Sequence, residues 1–279
     1  MNSTITEFAA AKINLALHVL GRRADGYHEL DSIVAFADVG DLLKIAPSTE
    51  FSIEASGPFA GGLPAAEDDI IHEAWLLARG IAQARGRVVP PVRIGLEKNL
   101  PIASGIGGGS ADAAAALRGC LSLAGIAVDD QIRTLALKLG ADVPVCLGSR
   151  ACRMRGVGER LTLLEGFAPR PVLLVNPGVA VSTPETFRRL GLAPGQCHGT
   201  AIADTGNPLS WRNDLAAPAI AAAPVIADVL SALRVLPGVA NAGMSGSGAS
   251  CFAVFDAEPS PDVARRLPAR WWRAFATLA

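Results

Sequence analysis

At 279 residues the chain is long enough for one large domain or two modest ones of about 100–200 residues each, and it can bury a core without disulfides or metals. Apolar residues make up 50% and charged residues 18%, which excludes both a disordered chain and a coiled coil. With 25 basic against 26 acidic residues and no basic run to track a phosphate backbone, nucleic acid is not expected as a partner.

The longest uncharged apolar stretch, Leu215 to Ala227, has 13 residues broken by Pro218 and Pro224, short of the about 20 that a bilayer span requires. Glu7, Lys12, Asn14 and His18 interrupt the N-terminal apolar positions where a signal-peptide core would lie, so no membrane is expected and the cytoplasm is the expected location. Five cysteines (Cys120, Cys146, Cys152, Cys197, Cys251) fit neither a disulfide framework nor a zinc site and read as buried thiols in a reducing compartment. Only Lys12, Lys44, Lys98 and Lys138 among the 25 cations are lysine, and Tyr27 is the sole tyrosine.

From Ala11 to Leu20, Ile13, Leu15, Leu17 and Val19 alternate with Asn14, Ala16 and His18, the period of a half-buried strand. Gly21 to Gly26 marks a turn, and strands are expected at Ser32–Ala37, Leu42–Ile45 and Phe51–Ala55, before a loop around Gly57–Pro64. A helix opened by Asp68 or Asp69 runs through Ile81 towards Gly86, and Val92–Leu96 reads as a strand. The glycine-rich segment Ser104–Ser110 follows, then helices at Ala111–Ala124 and Asp129–Leu139, the second stopped by Gly140 in a left-handed cap. Ala151–Arg155 and Arg160–Leu164 form a hairpin about Gly156-Val157-Gly158, and the division between domains is placed there, at 1–158 and 159–279. Beyond it come a strand at Val172–Val175, a helix entered through the capping box Ser182-Thr183-Pro184-Glu185, a long helix from Pro218 to Leu236 and a strand at Cys251–Phe255.

The strongest chemical signal is Ser104-Gly105-Ile106-Gly107-Gly108-Gly109-Ser110 between a strand and a helix. Glycines let backbone N–H groups close around phosphate oxygens, and the helix N-terminus adds partial positive charge. The segment lacks the Gly-Lys-Ser/Thr ending of a Walker loop, and Ser110 stands where a dinucleotide fingerprint needs glycine. A second cluster, Met244 to Ser250, either closes over a ligand, packs against the first loop or is a tight hairpin. Asp142, between Gly140 and Pro144, is either a proton acceptor for an attacking hydroxyl or a turn aspartate bonded to local backbone. Lys12 is either a required compact ammonium or a snorkelling edge lysine. Tyr27 beside His28 offers a ring and an imidazole to a planar base, or packs on its own strand.

In order along the chain, Ala11-Lys12-Ile13-Asn14-Leu15, Arg23 to Leu30, Leu100-Pro101-Ile102 with the glycine loop, Gly140 to Pro144, Gly156 to Glu159, Pro177-Gly178 with Ser182-Thr183-Pro184, Asn213-Asp214-Leu215 and Met244 to Gly248 resemble the 4-diphosphocytidyl-2-C-methyl-D-erythritol kinases of the GHMP kinase superfamily. The resemblance spans nearly the whole chain. It implies an α+β, two-domain GHMP kinase fold with the active site in the interdomain cleft, and ATP-dependent phosphorylation of the substrate's 2-hydroxyl in the non-mevalonate route to isoprenoid precursors. By the same resemblance Asp142 is the general base, and Lys12 stabilises its ionised form and the nascent alkoxide. Asn14 contacts substrate near the reacting centre, Tyr27 and Phe187 sandwich the cytosine, His28 bonds its polar edge, and Thr183 lies beside them. Pro101, Ile102, Ala103, Ser104, Gly105, Ile106, Gly107, Gly108, Gly109, Ser110 and Ala111 hold the ATP phosphates, with Mg²⁺ as cofactor; a monomer or homodimer is expected.

Two residues depart from the family pattern. Ala111 replaces a second serine, and Asp69 stands where asparagine is common near the adenine, so it accepts but cannot donate. Three other readings stay open: a homoserine or mevalonate kinase of the same superfamily, which lacks the Tyr27-His28 platform; a non-catalytic GHMP-fold binding protein, against which Lys12 and Asp142 together argue; and a dinucleotide-binding oxidoreductase, which needs the missing glycine.

Overall fold

The computed structural model describes residues 4–203 and 212–279. The chain folds as two compact units, neither continuous in sequence: the first takes residues up to Ala11, Gly40–Ile102 and Gly108–Ser149, and the second Lys12–Val39, Ala103–Gly107 and Arg150–Ala279. Two long strands, β1 (Ile5–Arg22) and β2 (His28–Pro47), contribute residues to both.

In the first unit, the end of β2 pairs antiparallel with β4 (Val92–Glu97), from Leu42 opposite Glu97 to Pro47 opposite Val92, and β4 pairs parallel with β3 (Ser52–Ser56). Helix α1 (Ile70–Ala84) begins where the sequence expects it, because the Asp69 carboxylate accepts from the Ile71 N–H at 2.8 Å. Asp69 is thus a helix cap, buried at 4% exposure. Helix α2 (Gly108–Leu123) packs on α1 through its alanine-rich stretch, and Gly119 leaves it room over Ile45, whose Cδ1 would sit 2.4 Å from an added Cβ. Helix α2 starts three residues before the expected Ala111, so Gly108, Gly109 and Ser110 form its first turn. Helix α3 (Asp130–Ala136) ends earlier than Leu139, with Leu137 as its cap rather than Gly140. A short helix not expected from sequence, α4 (Val143–Gly148), follows Asp142.

In the second unit, the start of β2 pairs with β5 (Cys152–Gly156), which forms the expected hairpin with β6 (Arg160–Leu163). Strands β7 (Arg170–Asn176), β8 (Val239–Met244), β9 (Cys251–Phe255) and β10 (Trp272–Leu278) lie antiparallel in the order β10-β7-β9-β8, and Leu278 opposite Ala37 joins β10 to β2. Helix α5 (Thr183–Arg188) is capped by the Ser182 hydroxyl. The helix expected from Pro218 to Leu236 is two, α6 (Ala216–Ala222) and α7 (Val225–Arg234), because Pro224 lacks the N–H that a continuing helix needs. Ile226, Val229, Leu230 and Leu233 of α7 pack with Leu173, Val175, Ala253 and Phe255 of the sheet as the core.

Strand β1 corrects a further expectation. Its alternate polar residues do not face water: Lys12, Asn14 and His18 are all buried, at 3%, 1% and 6% exposure. Four of the five cysteines are buried and Cys197 is exposed, against the expectation that all are buried, and none is in a disulfide. Burial pushes the Cys120 and Cys251 thiols up to about 12, which leaves them unreactive.

Candidate functional site

The glycine loop is built from both its ends. Residues Ala103, Gly105 and Gly107 take positive φ (50°, 77° and 68°), which turns the chain sharply enough to bring it against the Met244–Ser250 segment of the second unit. Ser245 Oγ donates to the Gly105 carbonyl at 2.8 Å, and the Ser250 N–H donates to the Ser104 carbonyl at 2.9 Å. A Cβ at Gly105 would lie 2.5 Å from the Ser245 carbonyl oxygen, so only glycine fits. The second cluster is therefore both a hairpin loop, between β8 and β9, and a backbone platform for the first. Asn213 braces that platform, its Nδ2 donating to the Met244 and Gly246 carbonyls at 2.8 Å each.

Lys12 lies beside this loop. Its N–H donates to the Ile106 carbonyl at 2.9 Å, and a Cβ at Gly107 would stand 3.1 Å from the lysine Cβ and 3.3 Å from its Cε. A stem this enclosed is not a snorkelling edge lysine. Asn14, one strand period along, gives its N–H to Ser245 Oγ at 3.0 Å. Lys12, Asn14, Ala103–Gly107 and Ser245 thus converge within the second unit.

The same unit groups the aromatic candidates. His28 and Phe187 stack on each other, with ring centroids 4.6 Å apart and planes at 27°, while Tyr27 is 65% exposed. Burial, with the nearby Arg22 charge, lowers the His28 pKa and favours its neutral form, which carries one donor and one acceptor nitrogen. Thr183 Oγ1 is 2.7 Å from Ser247 Oγ, which ties the start of α5 to the Ser-Gly-Ser-Gly platform.

The first unit holds the other end of the loop. Helix α2 leaves the N–H groups of its first turn without intrahelical partners, and a Cβ at Gly109 would meet nothing within 4 Å. That opening is suited to phosphate oxygens. Pro101 and Ala111 are buried, and Ile102 is 38% exposed. Asp142 occupies the position before α4 and makes no capping bond to it.

A buried charge cluster that sequence reasoning missed staples the two ends of the loop. Lys98 Nζ lies 2.6 Å from Asp41 Oδ2 and 2.5 Å from Asp112 Oδ2, and Asp41 Oδ1 accepts the N–H groups of Asn99 and Leu100 at 2.6 and 2.8 Å. Asn99 and Leu100 precede the loop, and Asp112 stands in α2 just after it. The two carboxylates hold the Lys98 pKa above its ordinary value despite burial. Burial, with Asp41 adding to it, pushes Asp112 up to about 7. The signal available in the sequence was the scarcity of lysine, which marks Lys98 as it marks Lys12.

Residues 70–150 match the GHMP kinases N terminal domain family and residues 202–273 the GHMP kinases C terminal family, on either side of Gly158. A 4-diphosphocytidyl-2-C-methyl-D-erythritol kinase of Ruegeria pomeroyi is 48% identical over 97% of this chain and 98% of its own. One from a Bradyrhizobium species is 44% identical over 99% of both chains. Among solved structures, a 4-(cytidine 5'-diphospho)-2C-methyl-D-erythritol kinase is 33% identical with a TM-score of 0.78, over 98% of this chain and 99% of that one. A homoserine kinase from Cytophaga hutchinsonii, 18% identical with a TM-score of 0.69 over 100% of this chain and 95% of that one, shares the fold.

Proposed function

Because the chain belongs to the 4-diphosphocytidyl-2-C-methyl-D-erythritol kinase family of GHMP kinases, we propose that it transfers the γ-phosphoryl group of ATP to the 2-hydroxyl of 4-diphosphocytidyl-2-C-methyl-D-erythritol. The observation that carries this reading over a homoserine or mevalonate kinase is near full-length identity of 48% with a relative of that name.

An alcohol attacks phosphorus effectively once its proton is being removed, and the transferred group needs its spreading negative charge met by fixed donors. Asp142 takes the proton, a role consistent with a carboxylate that does not cap its helix. Lys12, its stem held against Gly107, supplies a compact positive charge to the developing alkoxide. The first turn of α2 and the loop before it receive the phosphates. Tyr27 and Phe187 take the faces of the cytosine, Thr183 lies alongside, and neutral His28 meets its polar edge with one donor and one acceptor. Asn14 contacts the acceptor near the reacting hydroxyl.

Among the described residues no three His, Cys, Asp or Glu side chains gather where they could hold a metal ion. Mg²⁺, which keeps waters and phosphate oxygens as ligands, would be carried by the triphosphate and would neutralise its charge. No described helix is long and apolar enough to cross a membrane. The four buried thiols, none in a disulfide, suit a reducing compartment, and we place the activity in the cytoplasm, in the non-mevalonate route.

ATP consumption with the cytidylyl substrate, homoserine and mevalonate tests the assignment. Turnover confined to the cytidylyl substrate is expected; preference for either other alcohol overturns it.

A further inference from the structure

Asn14 is 1% exposed, and the orientation of its amide is settled by proton bookkeeping on its neighbours. Its Nδ2 lies 2.8 Å from Ser32 Oγ, and Ser32 Oγ lies 2.6 Å from the Ala16 carbonyl oxygen. A carbonyl only accepts, so the one hydroxyl proton of Ser32 goes to Ala16, and what Ser32 turns to Asn14 is a lone pair. The amide atom facing Ser32 must then be the NH₂ group. On the backbone side the same logic holds, since Ser245 spends its proton on the Gly105 carbonyl and accepts from the Asn14 N–H at 3.0 Å. Ser32 and Ser245 are both fully buried. What remains is Asn14 Oδ1, a buried oxygen with no hydrogen-bond partner in the protein. Such an atom is costly to leave unsatisfied and, in a native fold, calls for an explanation.

We propose that Ser32 is a positioning residue that locks the Asn14 amide so that it offers an incoming ligand an acceptor only, and that the ligand group it receives is a hydroxyl donor of the acceptor alcohol. A flipped amide would present NH₂ to that hydroxyl and leave two acceptors, Asn14 Oδ1 and a Ser32 lone pair, facing each other. The inference rests on the assignment of Asn14 to the acceptor substrate. It adds the polarity of that contact and the residue that sets it.

The test is a double-mutant cycle on kcat/KM for the acceptor, with KM for ATP measured alongside. Asn14→Leu removes the acceptor oxygen with a similarly branched side chain, and Ser32→Ala frees the amide to flip. Ser32→Ala is expected to lower kcat/KM for the alcohol by about 3- to 10-fold, the size of one hydrogen bond, with KM for ATP unchanged. Ser32→Thr, which keeps the hydroxyl, should restore it. In the Asn14→Leu background Ser32→Ala should change nothing further, because its effect passes through Asn14. A loss from Ser32→Ala of equal size in both backgrounds, or no loss in either, overturns the proposal while leaving Asn14 as a substrate contact. Wild-type kinetics from Asn14→Leu alone instead overturns the assignment of Asn14 beneath it. If Ser32→Ala does not fold by thermal melting, Ser32→Cys carries the same comparison, since a thiol is a poor acceptor of similar shape. Should the wild-type enzyme prefer homoserine or mevalonate, the substrate reading falls, and the same cycle run on that alcohol decides the role of Ser32.

Discussion

At the scale of single residues, the chemistry divides between groups that carry charge and groups that recognise shape. Asp142→Asn keeps the shape and hydrogen-bonding length of the side chain and removes its ability to hold a proton. Turnover should fall by about 10²- to 10⁴-fold with ATP affinity unaltered, measured by steady-state kinetics and nucleotide titration. Near wild-type turnover would take the base role from Asp142. Lys12→Arg should also be inactive: the stem is enclosed by Gly107, and a planar fork cannot occupy the space of a point charge. An active arginine variant would show that any cation suffices. Phe187→Ala removes a ring that stacks on His28 and, in our assignment, one face of the base, a contact worth about 1–3 kcal/mol. The loss should appear mainly as a raised KM for the cytidylyl substrate. Combined with His28→Ala it should be less than additive, since both act on one ligand. If KM does not change, the aromatic pair is structural.

At the scale of elements, the glycine loop separates two uses of the same residue type. Gly105 is bounded by protein, with a Cβ there only 2.5 Å from the Ser245 carbonyl and 2.7 Å from that of Gly248, at φ +77°. Gly105→Ala should therefore lose thermal stability and nucleotide binding together, as the two loops are forced apart. Gly109 faces open space in the first turn of α2. Gly109→Ala should melt at or slightly above the wild-type temperature, alanine being the better helix former by about 1 kcal/mol, while binding ATP more weakly because the methyl group occupies phosphate space. Equal ATP affinity in Gly109→Ala and wild type would move the phosphates away from that turn. The elements also mark where local signals sufficed. Asp69 before α1, Ser182 before α5 and the Gly156-Val157-Gly158 hairpin were legible because caps and turns are decided within a few residues. Strand β10 was not legible. Its Trp272-Arg273-Ala274-Phe275 run becomes a strand by pairing with β7, about a hundred residues earlier in the chain, as Trp272 meets Asn176.

At the scale of the whole molecule, the buried Lys98 cluster makes folding stability depend on pH. One cation faces two carboxylates, and Asp112 is raised to about 7 from an ordinary 3.8. A carboxyl whose folded pKa is raised binds its proton more tightly in the folded state, so its stabilising contribution is complete below about pH 4 and is lost as pH rises through about 7. Asp112→Asn cannot titrate and leaves a neutral Lys98–Asp41 pair. Its melting temperature relative to wild type should therefore improve between pH 5 and pH 8, by about 2 °C for each kcal/mol of relief in a protein of this size. A difference that does not vary with pH would mean that Asp112 stays ionised throughout and that Lys98 alone balances both acids.

The sequence by itself determined the family and the order of most elements and singled out candidates such as Lys12, Asp142 and the glycine loop, because these are carried by residue type and short spacing. It also determined the start of α1 and the existence of β9. Only the tertiary structure decided that the alternating polar residues of β1 are buried, that Lys98 is shared by Asp41 and Asp112, and that Gly105 must be glycine because of Ser245 and Gly248. It also placed Ser32 between the Asn14 amide and the Ala16 carbonyl. The partners lie beyond the reach of local spacing, from 14 residues between Lys98 and Asp112 to 57 between Lys98 and Asp41 and 231 between Asn14 and Ser245. A period-two pattern reports which residues share a face of a strand but not whether that face meets water or another layer of protein. Burial and hydrogen-bond direction depend on that second surface, which exists only once the chain has folded.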